Sequence, residues 1–372
     1  MIYLDYQATT PVAPEVAAAM QPWIEQKFAN PHSPSRAGRE ADAAIEIARK
    51  QVQQAIGLAG GSLAFTGSAT EALNWAIKGT IEKAPPDRTR IVTVQTEHAA
   101  VLDPCQWLEG TGAEVTYLPV ESEGLVSLAD VAAAVDERTA LVAVMLVNNE
   151  IGVIQPVGEI AEIAHRAGAL MLTDAVQAFG RMAIPDGPDL IAVSAHKIHG
   201  PKGIGALWMR EGAEPAPLIH GGGQERGLRS GTLSPALCVG FGAAAKLASE
   251  RRDADAAHVN RLWLAAWNVL GPEWILNGSG DERYHGNLNI RREGLDTARL
   301  MADLRDIAFS LGSACASGSG RPSHVLRALG LGDREARSSI RLGFGRYTSE
   351  AELVDALRRI DEAARAQERF AA

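Results

Sequence analysis

The sequence predicts an α/β protein whose large domain holds a mostly parallel, seven-stranded sheet between layers of helices. Short apolar, β-rich runs recur along the first part of the chain, and helical patterns separate them. A parallel pair of strands needs a long crossover, usually a helix, so this alternation is typical of a parallel sheet covered on both faces. The seven predicted strands are 63–66, 91–94, 114–118, 141–147, 169–173, 190–194 and 204–209.

Helices are predicted where apolar residues recur at spacings of three and four, as from Ala41 to Ile56. A second pattern, 157–168, closes on Gly168, a usual helix stop. The connection from 194 to 204 is too short for a crossover helix. The last strand is therefore expected to run antiparallel to the one before it.

After about residue 235 the alternation of short strands and helices gives way to a long Ala-rich helical stretch, which predicts a second, smaller α+β domain. We expect a large domain of residues 15–250 and a small domain made of residues 1–14 and 251–372. The N-terminal run "YLDYQATTP" is too short to fold alone and is expected to pack against one of the two. The elements predicted for the second half are helices at 236–270, 296–305, 323–329 and 349–368 and a strand-like run at 338–344.

Composition and charge exclude several classes of protein. A net charge of −9 argues against direct nucleic-acid binding, which needs a basic face. No apolar run reaches the roughly 20 residues that span a bilayer. The N-terminus has no basic region followed by an apolar stretch, so no secretory signal is expected. Three scattered cysteines do not make a disulfide framework. We expect a cytoplasmic protein with no membrane contact.

Polar residues follow several of the predicted strands, and ligands of open α/β sheets bind outside the carboxyl ends of the strands. "GSATEALNWAIKG" follows the first strand and opens a helix near Ala69–Thr70, which is either a phosphate seat or a capped helix start. His98 follows the next strand. It is either a helix cap or a ring that stacks on a flat cofactor and shuttles protons. "NNEIG" follows the strand at 141–147.

Asp174 and Lys197 follow two further strands of this predicted sheet. Asp174 is either a helix N-cap or the partner of a pyridinium nitrogen. Lys197 is either solvated or functional, because lysine is rarely buried. Together with the phosphate seat and His98, the two residues are the parts of a pyridoxal phosphate site, which needs a Schiff-base lysine and a carboxylate that keeps the ring protonated.

Two residues of the second domain also carry chemistry. Arg341, between apolar neighbours, is either a structural ion-paired residue or a fork for a substrate carboxylate, and we favour the fork. Cys315 lies in "SLGSACASGSG", where only Leu311 is bulky. It is either a loop thiol of no consequence or a nucleophile that must move. Cys105 and Cys238 are expected in the core, where free cysteine is common.

Nine segments, in this order and spacing, resemble the NifS/IscS-type cysteine desulfurases, which are class V aminotransferase-related, fold-type-I pyridoxal phosphate enzymes. The resemblance covers nearly the whole chain. The segments are "YLDYQATTP", "FTGSATEALNWAIKG", "TEHAAVLD", "VNNEIG", "TDAVQAFG", "SAHKIHGPKGIGAL", "HGGGQERGLRSGTL", "GSACASGS" and "SSIRLGFGR".

The resemblance implies pyridoxal 5′-phosphate as cofactor, a homodimer and no resident metal. It implies that Lys197 carries the cofactor and later removes the Cα proton of the substrate, and that Cys315 accepts its sulfur and is a candidate transient iron–sulfur ligand. The remaining implied roles are Asp174 at the pyridine nitrogen, Gln177 at ring O3′, His98 stacked on the ring, Thr70, Ser194 and His196 with the Ala69 backbone at the phosphate, Thr232 at the phosphate of the other subunit, Asn149 beside the cofactor, and Asn149 with Arg341 at the substrate carboxylate.

The implied reaction converts L-cysteine to L-alanine. The sulfur passes to Cys315 as a persulfide and then to an acceptor protein for iron–sulfur cluster assembly or for thio-cofactor or tRNA thiolation. The alternative is a selenocysteine lyase or another class V aminotransferase-like enzyme in which Cys315 is incidental. A non-catalytic relative predicts the loss of Lys197, Asp174 or Cys315, and all three are present.

The chain departs from the family pattern in two places. Relatives read S-G-A-T-E at the phosphate turn, whereas this chain has Gly67-Ser68-Ala69-Thr70-Glu71, which moves the flexible residue by one place. The chain also ends at "AQERFAA", without the longer tail by which housekeeping members engage the iron–sulfur scaffold protein. We therefore expect the chemistry of the family and leave the identity of the sulfur acceptor open.

Overall fold

The computed structural model describes residues 1–311 and 322–371, with helices packed on both faces of a central sheet. Its strands are β1 (Ile2–Tyr3), β2 (Gly61–Thr66), β3 (Arg90–Val94), β4 (Glu114–Leu118), β5 (Thr139–Ala143), β6 (Leu170–Asp174), β7 (Leu190–Ser194), β8 (Gly205–Arg210), β9 (Ile275–Leu276), β10 (Asn287–Arg291), β11 (Ile307–Ala308), β12 (Ser310–Leu311) and β13 (Ser339–Gly343). Its helices are α1 (Pro14–Glu25), α2 (Arg36–Ile56), α3 (Ala69–Lys83), α4 (Ala99–Glu109), α5 (Leu128–Ala134), α6 (Val157–Arg166), α7 (Pro235–Val269), α8 (Thr297–Asp303), α9 (His324–Ala328), α10 (Asp333–Arg337) and α11 (Glu350–Ala371). Within these two stretches no helix is both long enough and apolar enough to cross a membrane.

The central sheet has seven strands in the order β2-β8-β7-β6-β5-β3-β4. All run parallel except β8, which is antiparallel to both of its neighbours. The fold class and the reversed direction of the last strand are therefore confirmed. Because β3, β5, β6 and β7 are parallel, the residues that follow them meet at one edge of the sheet.

One predicted strand is wrong in its extent. The run 141–147 was expected to be a strand throughout, but β5 ends at Ala143. The N–H groups of Val144 and Leu146 still bond to β6, at Leu172 O and Asp174 O. Val147 then bridges back to Ile154, because the chain must turn through "NNEIG" before helix α6. The apolar run continues past the ladder because its residues stay buried.

Hydrophobic cores cover both faces of the sheet. Neighbouring residues of one strand, such as Ile91 and Val92, belong to different cores, as the alternation of side chains in a strand requires. A third core fills the small domain under the antiparallel sheet β12-β13-β10-β9. Helix α7 is continuous, but its residues up to Ala248 pack in the first core and those from Val259 in the third. The domain boundary at 250/251 lies inside this helix and stays a prediction.

The N-terminal segment packs against both domains, not against one as expected. Strand β1 pairs in parallel with β11, and Leu4 is buried in the small-domain core. Further along, the Thr10 N–H and hydroxyl both donate to the His196 carbonyl in the large domain. Residues 1–13 therefore form a strap across the two domains, which we call the N-terminal strap. This contact with both domains could not be predicted from the sequence because the run has no apolar periodicity.

Candidate active site

A cavity of about 250 Å³ opens at the carboxyl edge of the central sheet. It lies at the mouths of β2, β3, β6 and β7, where the strand directions place successive loops together. Nearly all of the residues predicted for the cofactor line this one cavity. They are Ala69, Thr70, His98, Asn149, Asp174, Gln177, Ser194, His196 and Lys197.

The N-terminus of α3 forms the phosphate turn. Ser68 is its N-cap, with extended backbone, and its hydroxyl accepts the Glu71 N–H at 3.1 Å. The Gly67 N–H donates to Glu71 Oε2 at 2.8 Å, which closes the turn. The departure from the family pattern therefore puts a good capping residue at the N-cap. Ala69 and Thr70 in the first turn of α3 face the cavity, where the positive end of the helix favours an anion.

His98 is the helix cap considered from the sequence and also lines the cavity, while its stacking on a cofactor ring stays a prediction. It is the N-cap of α4, and its Nδ1 accepts the Ala100 N–H at 3.0 Å. It also lines the cavity. Because Nδ1 accepts, the proton of the neutral ring sits on Nε2. The hydrogen bond from Ala100 therefore fixes the tautomer of His98 and holds its ring in place. The ring can still donate from Nε2.

Asp174 is the last residue of β6 and is nine-tenths buried. Its Oδ1 accepts the Val176 N–H at 2.9 Å. Burial raises the pKa of Asp174 above its ordinary value, opposed by that N–H and by the charges of His98 and Lys197. Among the described residues no cation comes within ion-pairing distance of it. A buried carboxylate in this state is stabilised by any cation that enters the cavity.

Lys197 follows β7, in a short 3-10 turn. Its Nζ donates to two carbonyls of the N-terminal strap, those of Gln7 and Ala8, the second at 2.8 Å. Burial lowers the pKa of the Lys197 amine to about 7, and the cations Arg181 and Arg341 add to the effect. A large share of the amine is therefore neutral near pH 7. A neutral amine is the form that attacks an aldehyde or removes a proton.

His196 and Ser194, which are predicted to hold the phosphate, both line the cavity. Burial lowers the pKa of His196 to about 4, with Lys197 and Lys202 adding to the effect. The ring is therefore neutral at pH 7. Its Nδ1 is 3.1 Å from the Thr9 hydroxyl, again a contact with the N-terminal strap.

Arg341 does not line the cavity in this structure. It lies behind Asn149, which does, and donates to the Asn149 carbonyl at 3.0 Å. A second nitrogen donates to Asp5 Oδ1 at 2.9 Å and to the Ser310 hydroxyl at 2.8 Å. The ion-paired arrangement is thus the one seen here, while the buried Nε of Arg341 has no hydrogen-bond partner among residues 1–311 and 322–371. The role of Arg341 at a substrate carboxylate stays a prediction.

Three residues of the site were missed from the sequence. Gln7 lines the cavity, and its carbonyl accepts from both Lys197 and Gln177 Nε2. Arg181 donates to Gln177 Oε1 and to the Lys197 carbonyl. Glu97 is buried beside His98, and one of its oxygens accepts the Met145 N–H at 2.6 Å. Gln7 and Glu97 lie inside the quoted segments and Arg181 directly follows "TDAVQAFG", but nothing in their spacing distinguished them from surface polar residues.

The remaining predicted residues lie away from the cavity or outside the described residues. Thr232 is exposed on this chain and is not among the residues that line its cavity. Cys315 lies outside the described residues. Cys105 and Cys238 are fully buried, which confirms the expectation that they belong to the core. Burial raises the pKa of each thiol to about 12, so neither provides a thiolate near neutrality.

These residues fit pyridoxal phosphate. The lone buried carboxylate of Asp174 fits a protonated pyridine nitrogen, and the partly neutral amine of Lys197 fits the aldehyde. The free N–H groups at the start of α3 fit the phosphate. The ring nitrogen, the aldehyde and the phosphate of the cofactor would thus each meet a complementary group of the protein in this cavity.

Comparison with known proteins agrees with this site. The family model "Aminotransferase class-V" matches residues 2–357. The chain belongs to the class-V aminotransferases. Within that family it is in the NifS/IscS-like group. It is 46% identical over 368 residues to cysteine desulfurase IscS of Rickettsia bellii (strain OSU 85-389), an alignment that covers 96% of this chain and 90% of the relative.

Two solved structures confirm the fold of this class-V aminotransferase. One, titled NifS-like protein, superposes with a TM-score of 0.89 at 34% identity and covers 97% of this chain and 98% of that one. Another, titled SspA in complex with cysteine, superposes with a TM-score of 0.83 at 35% identity and covers 94% and 100%. Enzymes of this family depend on pyridoxal phosphate, which is therefore the cofactor here.

The depressed pKa of Lys197 predicts how fast the cofactor-free protein captures pyridoxal phosphate. Only the neutral amine attacks the aldehyde, so attachment should speed up as pH rises, with a midpoint near 7. The measurement is the initial rate of attachment, fixed by borohydride and mapped by mass spectrometry to the peptide that holds Lys197. Lys197→Ala is the control and should leave no label there. A midpoint near 10.5, the ordinary value for lysine, would contradict this reading.

Proposed function

We propose that this cysteine desulfurase converts L-cysteine to L-alanine with Lys197 as its base and delivers the sulfur through Cys315. The observation that carries the proposal is one cavity in which Asp174 ends β6 and Lys197 follows the adjacent β7, beside the helix start of α3 and the His98 ring. Relatives named cysteine desulfurase IscS, at about 45% identity over most of the chain, support the reaction.

Bound pyridoxal phosphate supplies an electron sink for the bond cleavages at the substrate. The protein supplies the rest. Asp174 would hold the positive charge of a protonated ring nitrogen, and the neutral Lys197 amine would take the Cα proton of the substrate. The Nε2 proton of His98 lies at the cavity, where it can assist proton transfer to or from the sulfur.

The substrate carboxylate is assigned to Asn149 and Arg341. Asn149 offers its side-chain amide at the cavity wall. Arg341 has one buried N–H, at Nε, that no described residue accepts, and a second nitrogen donates to Asp5. A carboxylate therefore reaches Arg341 either at Nε or by replacing Asp5. A carboxylate bonded to two nitrogens of Arg341 would form a bidentate pair, which orients the amino acid as well as balancing its negative charge.

The sulfur step balances without an outside oxidant. The Cys315 thiolate attacks the substrate sulfur, an S–S bond forms, and the carbon–sulfur bond breaks. Its electron pair stays with the carbon skeleton, which takes up protons and leaves as alanine. The enzyme keeps the sulfur as a persulfide. The two other thiols are buried and protonated, so they do not compete.

The alternative reactions are less well supported. An aminotransferase or a selenocysteine lyase would use the same cofactor cavity, but it gives no role to a cysteine in a stretch that cannot build a core. The relatives' names also favour the desulfurase. The acceptor is a protein thiol or scaffold that takes sulfur for iron–sulfur clusters or thiolation, in the cytoplasm.

A homodimer completes the proposed site. Thr232 is exposed, outside its own cavity, on a segment bonded to Ile219 through Ser230. The neighbouring side chains of Leu218 and Ile219 are more than one-third exposed and adjacent, so they add apolar surface beside this segment. We assign this surface to the partner subunit, where Thr232 reaches the phosphate held by Thr70 and Ser194.

Replacing Cys315 separates sulfur transfer from cofactor chemistry. Cys315→Ala should still bind cofactor and respond spectroscopically to L-cysteine, because Lys197 and Asp174 are untouched. Alanine and sulfide formation should fall together by several orders of magnitude. Wild-type protein given L-cysteine without reductant should gain one sulfur atom on the peptide that holds Cys315.

Cys105→Ala and Cys238→Ala are the matched controls, since they remove the two buried thiols. Each should keep its specific activity, with any loss explained by a lower fraction of folded protein. Near-normal alanine formation by Cys315→Ala, or extra sulfur mapped to Cys105, would contradict the role given to Cys315.

A mixed dimer tests the role of Thr232. Lys197→Ala and Thr232→Ala homodimers should both bind cofactor poorly, the first without covalent attachment and the second with reduced affinity. In a differently tagged heterodimer of the two, the Thr232→Ala subunit keeps Lys197 and receives Thr232 from its partner. One site per heterodimer should regain wild-type affinity for pyridoxal phosphate. If affinity stays low, or if the active wild-type protein sediments as a monomer, Thr232 does not serve the partner.

A further inference from the structure

Arg181 lies directly behind the cofactor cavity. One of its nitrogens donates to Gln177 Oε1 at 2.6 Å, and another donates to the Lys197 carbonyl at 2.8 Å. Its guanidinium carbon lies 5.2 Å from the centre of the Tyr284 ring, a residue of the small domain. No carboxylate of the described residues forms an ion pair with it. An ion pair therefore does not account for the position of Arg181 behind the cavity.

The contact with Gln177 fixes the direction of the amide. A guanidinium has only donors, so the amide can face Arg181 only through its oxygen. The opposite end, Nε2, must then face Gln7 and the cavity. Nε2 has two hydrogens, and one of them bonds to the Gln7 carbonyl at 3.0 Å. The second remains for a ligand in the cavity that Gln177 lines.

We propose that Arg181 is a positioning residue: it locks the Gln177 amide so that an N–H always faces the phenolic oxygen of bound pyridoxal phosphate. The inference rests on the proposed function, because it assumes that cofactor in this cavity. A donor at that oxygen stabilises its deprotonated form. A flipped amide would present a carbonyl there and oppose the same charge. Arg181 thereby sets the ionisation of the cofactor without touching it.

Other charges also face this part of the cavity and enter the test. Asp174, His98 and His196 line it with Lys197, while Asp5 and Arg341 act on the Lys197 amine from the small-domain side. None of them bonds to the Gln177 side chain. The amide is held by Arg181 and Gln7 alone among the described residues. A change at Arg181 that acts through Gln177 can therefore be separated from a change in total charge.

The test is a spectrophotometric pH titration of the cofactor-loaded protein in a double-mutant cycle. Arg181→Met retains an apolar contact for Tyr284 but removes the donors. It should raise the apparent pKa of the bound chromophore by about one unit, the size expected from losing one hydrogen bond to a charged oxygen. In the Gln177→Met background, the same change should produce little further shift. Arg166→Met, at an exposed arginine of α6, controls for the substitution itself.

Equal shifts in the two backgrounds, or no shift in Arg181→Met, would overturn the proposal. The first result would assign the effect to the charge of Arg181 acting through space. Arg181→Gln is a second variant that loses the charge but keeps amide donors for Gln177 Oε1. The apparent pKa of its bound chromophore should lie closer to the wild-type value than that of Arg181→Met. A pKa shift as large as that of Arg181→Met would count against the positioning of the Gln177 amide by Arg181. Failure of the wild-type chain to take up pyridoxal phosphate would instead refute the proposed function.

Discussion

The carboxylate of Asp174 is buried at the end of β6 with no ion-paired cation among the described residues, and it is the constraint on which the site depends. Leaving a carboxylate in such a place is costly unless a positive charge meets it. The fold places it there because six strands run parallel and their carboxyl ends share one edge. The same edge brings the Lys197 amine, the start of α3 and the His98 ring around one cavity. Each of these groups suits the ligand whose positive ring nitrogen would relieve Asp174.

The second structural constraint is the N-terminal strap. It pairs with β11 in the small domain and bonds to the residues around Lys197 in the large one. Carbonyls of Gln7 and Ala8 hold the Lys197 amine, and that of Gln7 also receives Gln177. The strap therefore holds the Lys197 amine and contacts both domains at the same time. Asp5 of the strap also pairs with Arg341.

Much of the site could be predicted from the sequence because parallel strands impose where their following residues go. Asp174, Lys197 and His98 each follow a strand, and the structure brings them to one cavity. Where two readings of a residue were open, the structure did not always choose between them. His98 is both cap and cavity wall, and Arg341 is ion-paired with Asp5. The roles of Gln7 and Arg181 could not be predicted, since they arise from contacts between segments about 170 to 190 residues apart, or from the direction of a single amide.

The central claim is that Asp174 keeps the cofactor ring protonated. The direct measurement is the nitrogen NMR shift of pyridoxal phosphate labelled with ¹⁵N at its ring nitrogen and bound to the protein. The account predicts a protonated ring nitrogen in wild type and in the control Asp87→Asn, at an exposed aspartate, and an unprotonated one in Asp174→Asn. A ring nitrogen that is unprotonated in wild type, or protonated equally in Asp174→Asn, would contradict it.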